Sequence, residues 1–446
     1  MRRTAWACFC GMIALTAAAS PARGDDWPQW LGPQRDGIWR ETGILDKFPP
    51  GGPKVLWRVP IAGGYTGPAV VGGKVYVMDR VLAKDAKVHS EALFPRRPSA
   101  GVPGSERVLC LNAADGKEIW KHEYDCPYSV SYPAGPRCTP VVAGGKVYAL
   151  GTEGHLFCLD AEKGGVVWKH HFPSEYGVKA PMWGFSAHPL LDGQKLINMV
   201  GGDGTTVVAF DKDTGKELWR NVSSREQGYC PPMIYDIGGK RQLVVWDAEA
   251  VHGLDPETGK EYWSHPAPTY QGMSIATPRM VGDSVFVTAY PMTAFLLRPG
   301  TGATPEVVWK GDARKLGLFS VFSTPFVENG HIYGASSGGK LACVKADTGE
   351  RVWETLVPIG GKMLPSADVF LVKNGDRFFI FNEHGDLIIA KLSPKGYEEV
   401  SRAKLLEATS LAWGRPVVWS HPAFAGKCAF IRNDKELICV SLAATP

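Results

Sequence analysis

The chain has 446 residues, 44% of them hydrophobic and 21% charged, which is ample material for a large core and excludes a mostly disordered chain. Its 52 glycines and 34 prolines point to many turns between short strands, and no clean helical periodicity stands out. The formal net charge is +4, but the first 24 residues hold three arginines and no acid, so the remainder carries only +1 and gives no support for nucleic acid or an acidic membrane surface as a partner.

In chain order, residues 1–24 read as an export signal. Arg2 and Arg3 form a positive start, Trp6 to Ala19 a short apolar run, and Ala17-Ala18-Ala19 or Ala22-Arg23-Gly24 a cleavage site. The run is too short for an ordinary membrane-spanning helix, and nothing later approaches one, so no transmembrane segment is expected. The mature chain is therefore expected in the periplasm or outside the cell. Of ten cysteines, Cys8 and Cys10 leave with this segment, and neither follows a lipid-attachment pattern. Residues 25–54 come next, with Trp27-Pro28-Gln29-Trp30 and Gly32-Pro33. They are expected to strap the N-terminus onto the surface of the body with the Trp buried; an aromatic platform for sugars is the other reading.

From residue 55 to 442 an internal repeat governs the fold. Asp211-Lys212-Asp213-Thr214-Gly215-Lys216-Glu217-Leu218-Trp219 is followed by Asp255-Pro256-Glu257-Thr258-Gly259-Lys260-Glu261-Tyr262-Trp263. Asn112 to Trp120, Asp160 to Trp168 and Lys345 to Trp353 keep the same frame. A strand ends at the Asp or Asn, the Gly takes positive φ in the turn, and the next strand carries the Trp. A second signature precedes it, as in Thr139-Pro140-Val141-Val142 and Gly144-Gly145-Lys146-Val147-Tyr148: strand, Gly-Gly turn, strand. Four short antiparallel strands per unit make one propeller blade. Units begin near Pro68, Pro140, Pro189, Pro232, Pro278, Pro325, Asp368 and Pro422. The last lacks its outer strand, whereas Val55-Leu56-Trp57-Arg58 precedes the first unit without a blade of its own. The expectation is an all-β, eight-bladed β-propeller closed by the N-terminal strand, which removes both open edges. Successive Trp from Trp120 to Trp353 are 48, 51, 44, 46 and 44 residues apart, whereas Trp57 to Trp120 is 63, placing an insertion at about residues 81–106 in the first blade. The fifth blade has a longer turn, Arg298-Pro299-Gly300-Thr301-Gly302, and the seventh replaces the Trp with Val400.

These repeats resemble those of the pyrroloquinoline-quinone (PQQ) family, whose blade pattern is apolar-Asp-x-x-Thr-Gly-x-x-x-Trp, over about residues 55–442. The resemblance implies that Trp57, Trp120, Trp168, Trp219, Trp263, Trp309 and Trp353 dock each blade to its neighbour. It also implies one of two functions. Quinoprotein dehydrogenases hold PQQ and Ca²⁺, whereas noncatalytic members of the BamB type use the rim as a binding platform. Alcohol-oxidising members commonly carry an adjacent Cys-Cys pair, which this sequence lacks, and they are longer; both departures favour a noncatalytic protein. The expectation is a binding or scaffold propeller without cofactor, taking a protein or small ligand at its channel face; a PQQ/Ca²⁺-dependent oxidoreductase is the alternative.

The turns before the inner strands point to one end of the channel. Tyr65, Arg137, Trp183, His188, Tyr229, Trp413, Arg415 and His421 are the candidate ligand-facing residues. They form an aromatic and cationic ring with few acids, suited to a planar or anionic ligand through stacking and Arg forks, or else simply plugging the channel mouth. His188 and His421 lack the spaced partners of a metal site, so no metal is expected. Cys110, Cys158, Cys343 and Cys439 fall at one equivalent strand site, filled by Ala209 in the third blade, and read as buried core thiols. No catalytic residue is assigned: Gly-x-Ser-x-Gly, P-loop and HExxH motifs are all missing.

Overall fold

The computed structural model describes residues 25–86, 101–300, 302–312 and 314–444; the export signal expected at 1–24 and the centre of the first-blade insertion lie outside them. Eight four-stranded antiparallel sheets form the ring, together with one two-stranded hairpin, Ser410–Ala412 and Arg415–Val417, ahead of the last blade. The inner strands begin at Ala69, Val141, Leu190, Met233, Arg279, Phe326, Val369 and Ala423, each directly after the residue expected to open its unit. In the first blade the long strands Lys74–Leu82 and Gly104–Asn112 stay paired out to Leu82 opposite Gly104, so strand occupies both ends of the expected insertion. The eighth sheet runs Val55–Pro60, Glu436–Ser441, Cys428–Arg432, Ala423–Ala425 from outside inward, so the head of the mature chain supplies the outer strand of the last blade.

The repeat has a mechanical meaning. Every blade bulges between its third and fourth strands: Cys158 faces Trp168, but Leu159 faces Val166, leaving Val167 extra. The same shift recurs opposite Trp57, Trp120, Trp219, Trp263, Trp309 and Trp353. A bulge re-aims the side chain beside it. Here it turns the Trp toward the next blade, where the ring covers the turn glycine. A Cβ on Gly164 would lie 2.5 Å from the Trp120 ring, and one on Gly116, Gly215, Gly259 or Gly349 would likewise meet the preceding blade's Trp. The indole N–H then donates to the carbonyl one residue beyond the motif's first position: Trp57 to Ala113, Trp120 to Ala161, Trp168 to Lys212, Trp309 to Ala346, and Trp353 to the corresponding Ser393. Trp219 covers Gly259 but finds no acceptor beside Pro256. Cys110, Cys158, Cys343 and Cys439 sit directly across from a Trp, fully buried, as small fillers of that site.

Two blades depart from the pattern, each for a visible reason. The lengthened turn of the fifth blade offers no covered glycine: a Cβ on Gly300 or Gly302 would meet nothing. Trp263 therefore folds over its own blade, packing on Gly253 and donating to Gln242 Oε1 at 2.6 Å. In the seventh blade the register corrects the sequence reading. Val400 is the bulged residue, and the Trp position belongs to Ser401, which pairs with Ile389. Its Oγ accepts from the backbone N–H of Phe48 at 3.1 Å, and buried Phe48 from the N-terminal segment joins the core there.

If the Trp–Gly contact holds the ring, Gly164→Ala should destabilise the chain by at least about 2 kcal/mol, because it adds a clash to a φ of +71°. Gly300→Ala, in the uncovered turn, should stay within about 0.5 kcal/mol. Urea denaturation of the two variants checks this.

Candidate functional site

A propeller leaves a row of unpaired backbone groups on each inner strand, facing the channel. Here the N-terminal segment covers several of them from inside. Trp27 exchanges both backbone hydrogen bonds with Val70 of the first blade, and Pro28 accepts from Val142 of the second. After a reversal, Gly37 and Trp39 pair with Lys373 of the seventh blade. Between these two arms lies a tip in which Leu31, Gly32, Arg35 and Gly37 all take positive φ. Arg35 is buried there and donates to the carbonyls of Pro189, His188 and Pro232, while its own carbonyl accepts from Arg279. Burial lowers its pKa to about 10, so it stays charged at neutral pH. Within the segment 25–54 expected to strap the N-terminus onto the body, residues 27–39 run along the inner strands from inside the channel, with Trp27 and Trp30 buried.

Beside the tip of this segment, with Trp30 in its lining, is a cavity, the cup, of about 290 Å³, at the small end for a ligand site. Seven of the eight residues singled out in the sequence line it: Tyr65, Arg137, Trp183, His188, Tyr229, Trp413 and His421. Arg415 does not. It forms a two-pronged ion pair with buried Glu383, and Glu383 also accepts from the indole N–H of Trp419. Arg415 therefore fixes Trp419, which does line the cup and contacts Tyr65, Tyr132 and Phe322 at ring-centroid distances of 4.7–6.4 Å.

Arg137 also differs from expectation. Its Nη1 donates to the carbonyl of Gly135, and its Nη2 to those of Ser131 and Tyr132, so the fork holds the loop together and lies over the Tyr65 ring. The floor is Trp30, stacked on His188 at 4.1 Å and tilted against His421 at 4.4 Å. Desolvation holds the His188 imidazole well below its ordinary pKa and that of His421 down to about 4, so both are neutral near pH 7. The lining contains no carboxylate, and among the described residues no group of three or more His, Cys, Asp or Glu could hold a metal ion.

Sequence reasoning missed Trp30, Tyr132, Tyr290, Phe370 and Trp419. Trp30 comes from the non-repeating segment, and Tyr290 from the loop between second and third strands, where no motif marks it.

The family model of the outer membrane protein assembly factor BamB, built on PQQ-like repeats, matches residues 104–355, more than half of the chain. The chain belongs to the PQQ-repeat propellers. Among solved structures, this PQQ-repeat propeller is similar to BamB from Moraxella catarrhalis, with 16% identity, TM-score 0.53, and coverage of 83% of this chain and 99% of that one. It is also similar to a europium-containing methanol dehydrogenase, with 13% identity, TM-score 0.61, and coverage of 93% and 89%. A third is the quinohemoprotein alcohol dehydrogenase ADHIIG from Pseudomonas putida HK5, with 13% identity, TM-score 0.58, and coverage of 94% and 81%. At these identities the likeness is one of fold. No curated protein matches this propeller. No helix among its described residues is long and apolar enough to cross a membrane.

The buried neutral imidazoles carry a pH signature. His421 takes a proton near pH 6.5 when unfolded but only near 4 when folded, so across that window the unfolded chain binds more protons and stability falls as pH drops. The melting temperature of His421→Phe, which keeps a ring in place, should fall less between pH 7 and pH 4.5 than that of the parent. An equal fall would mean that His421 is not held neutral.

Proposed function

We propose that this protein is an exported, noncatalytic binding propeller that takes its ligand in the channel-face cup, with the surrounding rim open to a protein partner. The observation that carries this reading is the make-up of the cup. Its walls are aromatic, its floor is the chain's own Trp30, and its one permanent charge, Arg137, is spent on backbone carbonyls. Such a surface binds by stacking and shape.

The residues present do not fit a calcium-bound quinone. Ca²⁺ takes six to eight oxygen ligands, largely carboxylates and amide carbonyls. The cup lining has no Asp, Glu, Asn or Gln side chain to offer. The export part rests on the positive start, apolar run and small residues of positions 1–24. The family model's name, an outer membrane assembly factor, agrees with a binding role beyond the cytoplasm.

Titrating the mature chain with PQQ plus Ca²⁺ should leave its absorbance and melting temperature unchanged and produce no reduction of an artificial electron acceptor. The immobilised chain should retain a partner from the exported fraction, and replacing the exposed rim residues Tyr270 and Trp413 by Ala should release it. Saturable PQQ binding with acceptor reduction would contradict the proposal.

A further inference from the structure

In seven of the eight units the residue directly before the inner strand is Pro; in the seventh it is Asp368. A proline there offers no side-chain acceptor, whereas Asp368 reaches across to the loop of the sixth blade. Its Oδ2 accepts from the backbone N–H groups of Phe322 and Ser323 at 2.7 and 2.8 Å. Its Oδ1 accepts from the Ser323 hydroxyl at 2.6 Å and from the N–H of Val369 at 2.7 Å. Asp368 is 2% exposed, and among the described residues it forms no ion pair. A carboxylate buried among neutral donors without a cation costs stability in its charged form.

What this acid holds is a wall of the cup. Phe322 and Trp419 both line the cavity, and their rings meet at 4.7 Å. Each hangs on a buried carboxylate: Trp419 donates its indole N–H to Glu383, and Phe322 its backbone N–H to Asp368. The two acids differ in one respect. Glu383 is paired with Arg415, whereas the partners of Asp368 are all neutral. Burial therefore pushes the Asp368 pKa up to about 6, against the hydrogen bonds that favour its charge. Of the charged groups around its loop, Arg415 is committed to Glu383 and to the Pro365 carbonyl, and Lys362 is exposed to solvent. His421, packed against Phe370, takes its proton only near pH 4.

Resting on the channel-face reading above, we propose that Asp368 is the positioning residue of the Phe322–Trp419 wall and makes that wall responsive to pH. Ionised, it clamps the backbone of Phe322 and Ser323. Protonated, it loosens its grip. A hydrogen on Oδ2 would face two N–H donors; on Oδ1 the Ser323 hydroxyl turns to accept it, but the charge that strengthened both N–H bonds is gone. The folded chain keeps this proton in a range where an unfolded chain, with an ordinary aspartate, has released it. From about pH 4 to pH 6 the contribution of Asp368 to stability therefore falls as pH rises: the clamp is held at neutral pH at the expense of the fold.

The test labels the mature chain with 5-fluorotryptophan and follows the fluorine NMR resonance of Trp419, assigned by its loss in Trp419→Phe, from pH 7.5 to pH 5. In the parent the resonance should shift with a midpoint near pH 6, and in Asp368→Asn it should not titrate. Ser323→Ala removes one donor to the carboxylate and should move the midpoint up, which decides the matter if the Asn variant does not fold. A Trp419 resonance that stays put in the parent, that titrates alike in Asp368→Asn, or whose midpoint ignores Ser323→Ala would overturn the proposal. No ligand enters these readings. A captured rim partner beside a silent Trp419 overturns the pH-responsive wall alone, whereas a titrating Trp419 in a chain that captures nothing overturns the binding role and leaves the clamp standing.

Discussion

The ring depends on one contact: a tryptophan of one blade lying on the bare backbone of a glycine in the next. The glycine takes part twice, because it supplies a positive φ, +71° at Gly164 and +75° at Gly215, and because only a missing side chain lets the indole approach. Where an Asp opens the turn it also closes it locally, as when Asp211 Oδ1 accepts from the backbone N–H groups of Asp213 and Thr214. Turn, glycine and tryptophan thus form one device spread over two blades. It joins five of the eight blades to the next with one buried ring, and at four of those joints, all but that of Trp219, the ring also donates a hydrogen bond.

A closed ring of repeats must still solve its ends, and the N-terminal segment does so three times over. Val55–Pro60 completes the last blade, and Trp57 docks that blade onto Gly116 of the first. Phe48 fills the site where the seventh blade has Ser401 instead of a tryptophan. Residues 27–39 then run along the inner strands inside the channel and bring Trp30 into the lining of the cup. The site is therefore inseparable from closure: Trp30, its floor, reaches the channel on the same segment that mends the ring. The buried Arg35, fanned onto the carbonyls of the third and fourth blades, anchors the tip of that segment.

Much of this was legible in the sequence wherever the repeat speaks. The period fixed the blade count, the Gly-Gly and Asp-x-x-x-Gly turns fixed the strand starts, and the unmatched Trp57 strand revealed the closure. Seven of the eight residues singled out from the sequence do line the cup, because they follow from position within the unit. What was hidden lies outside the period or depends on register. A bulge moved the tryptophan position of the seventh blade from Val400 to Ser401, which counting residues cannot see. Arg415 was drawn away by Glu383, a partner with no fixed spacing to it in the chain. Trp30 belongs to a segment without periodicity, whose path through the channel is set by the edges it covers.

Hydrogen exchange of the mature chain tests the closure most directly. The amides of Val55–Pro60 should exchange as slowly as those of Glu436–Ser441, which they pair with, and as slowly as an internal outer strand such as Val166–His171. Rapid exchange of Val55–Pro60 beside a protected Val166–His171 would mean that the head of the chain does not mend the ring, and with it would go the path that brings Trp30 to the cup.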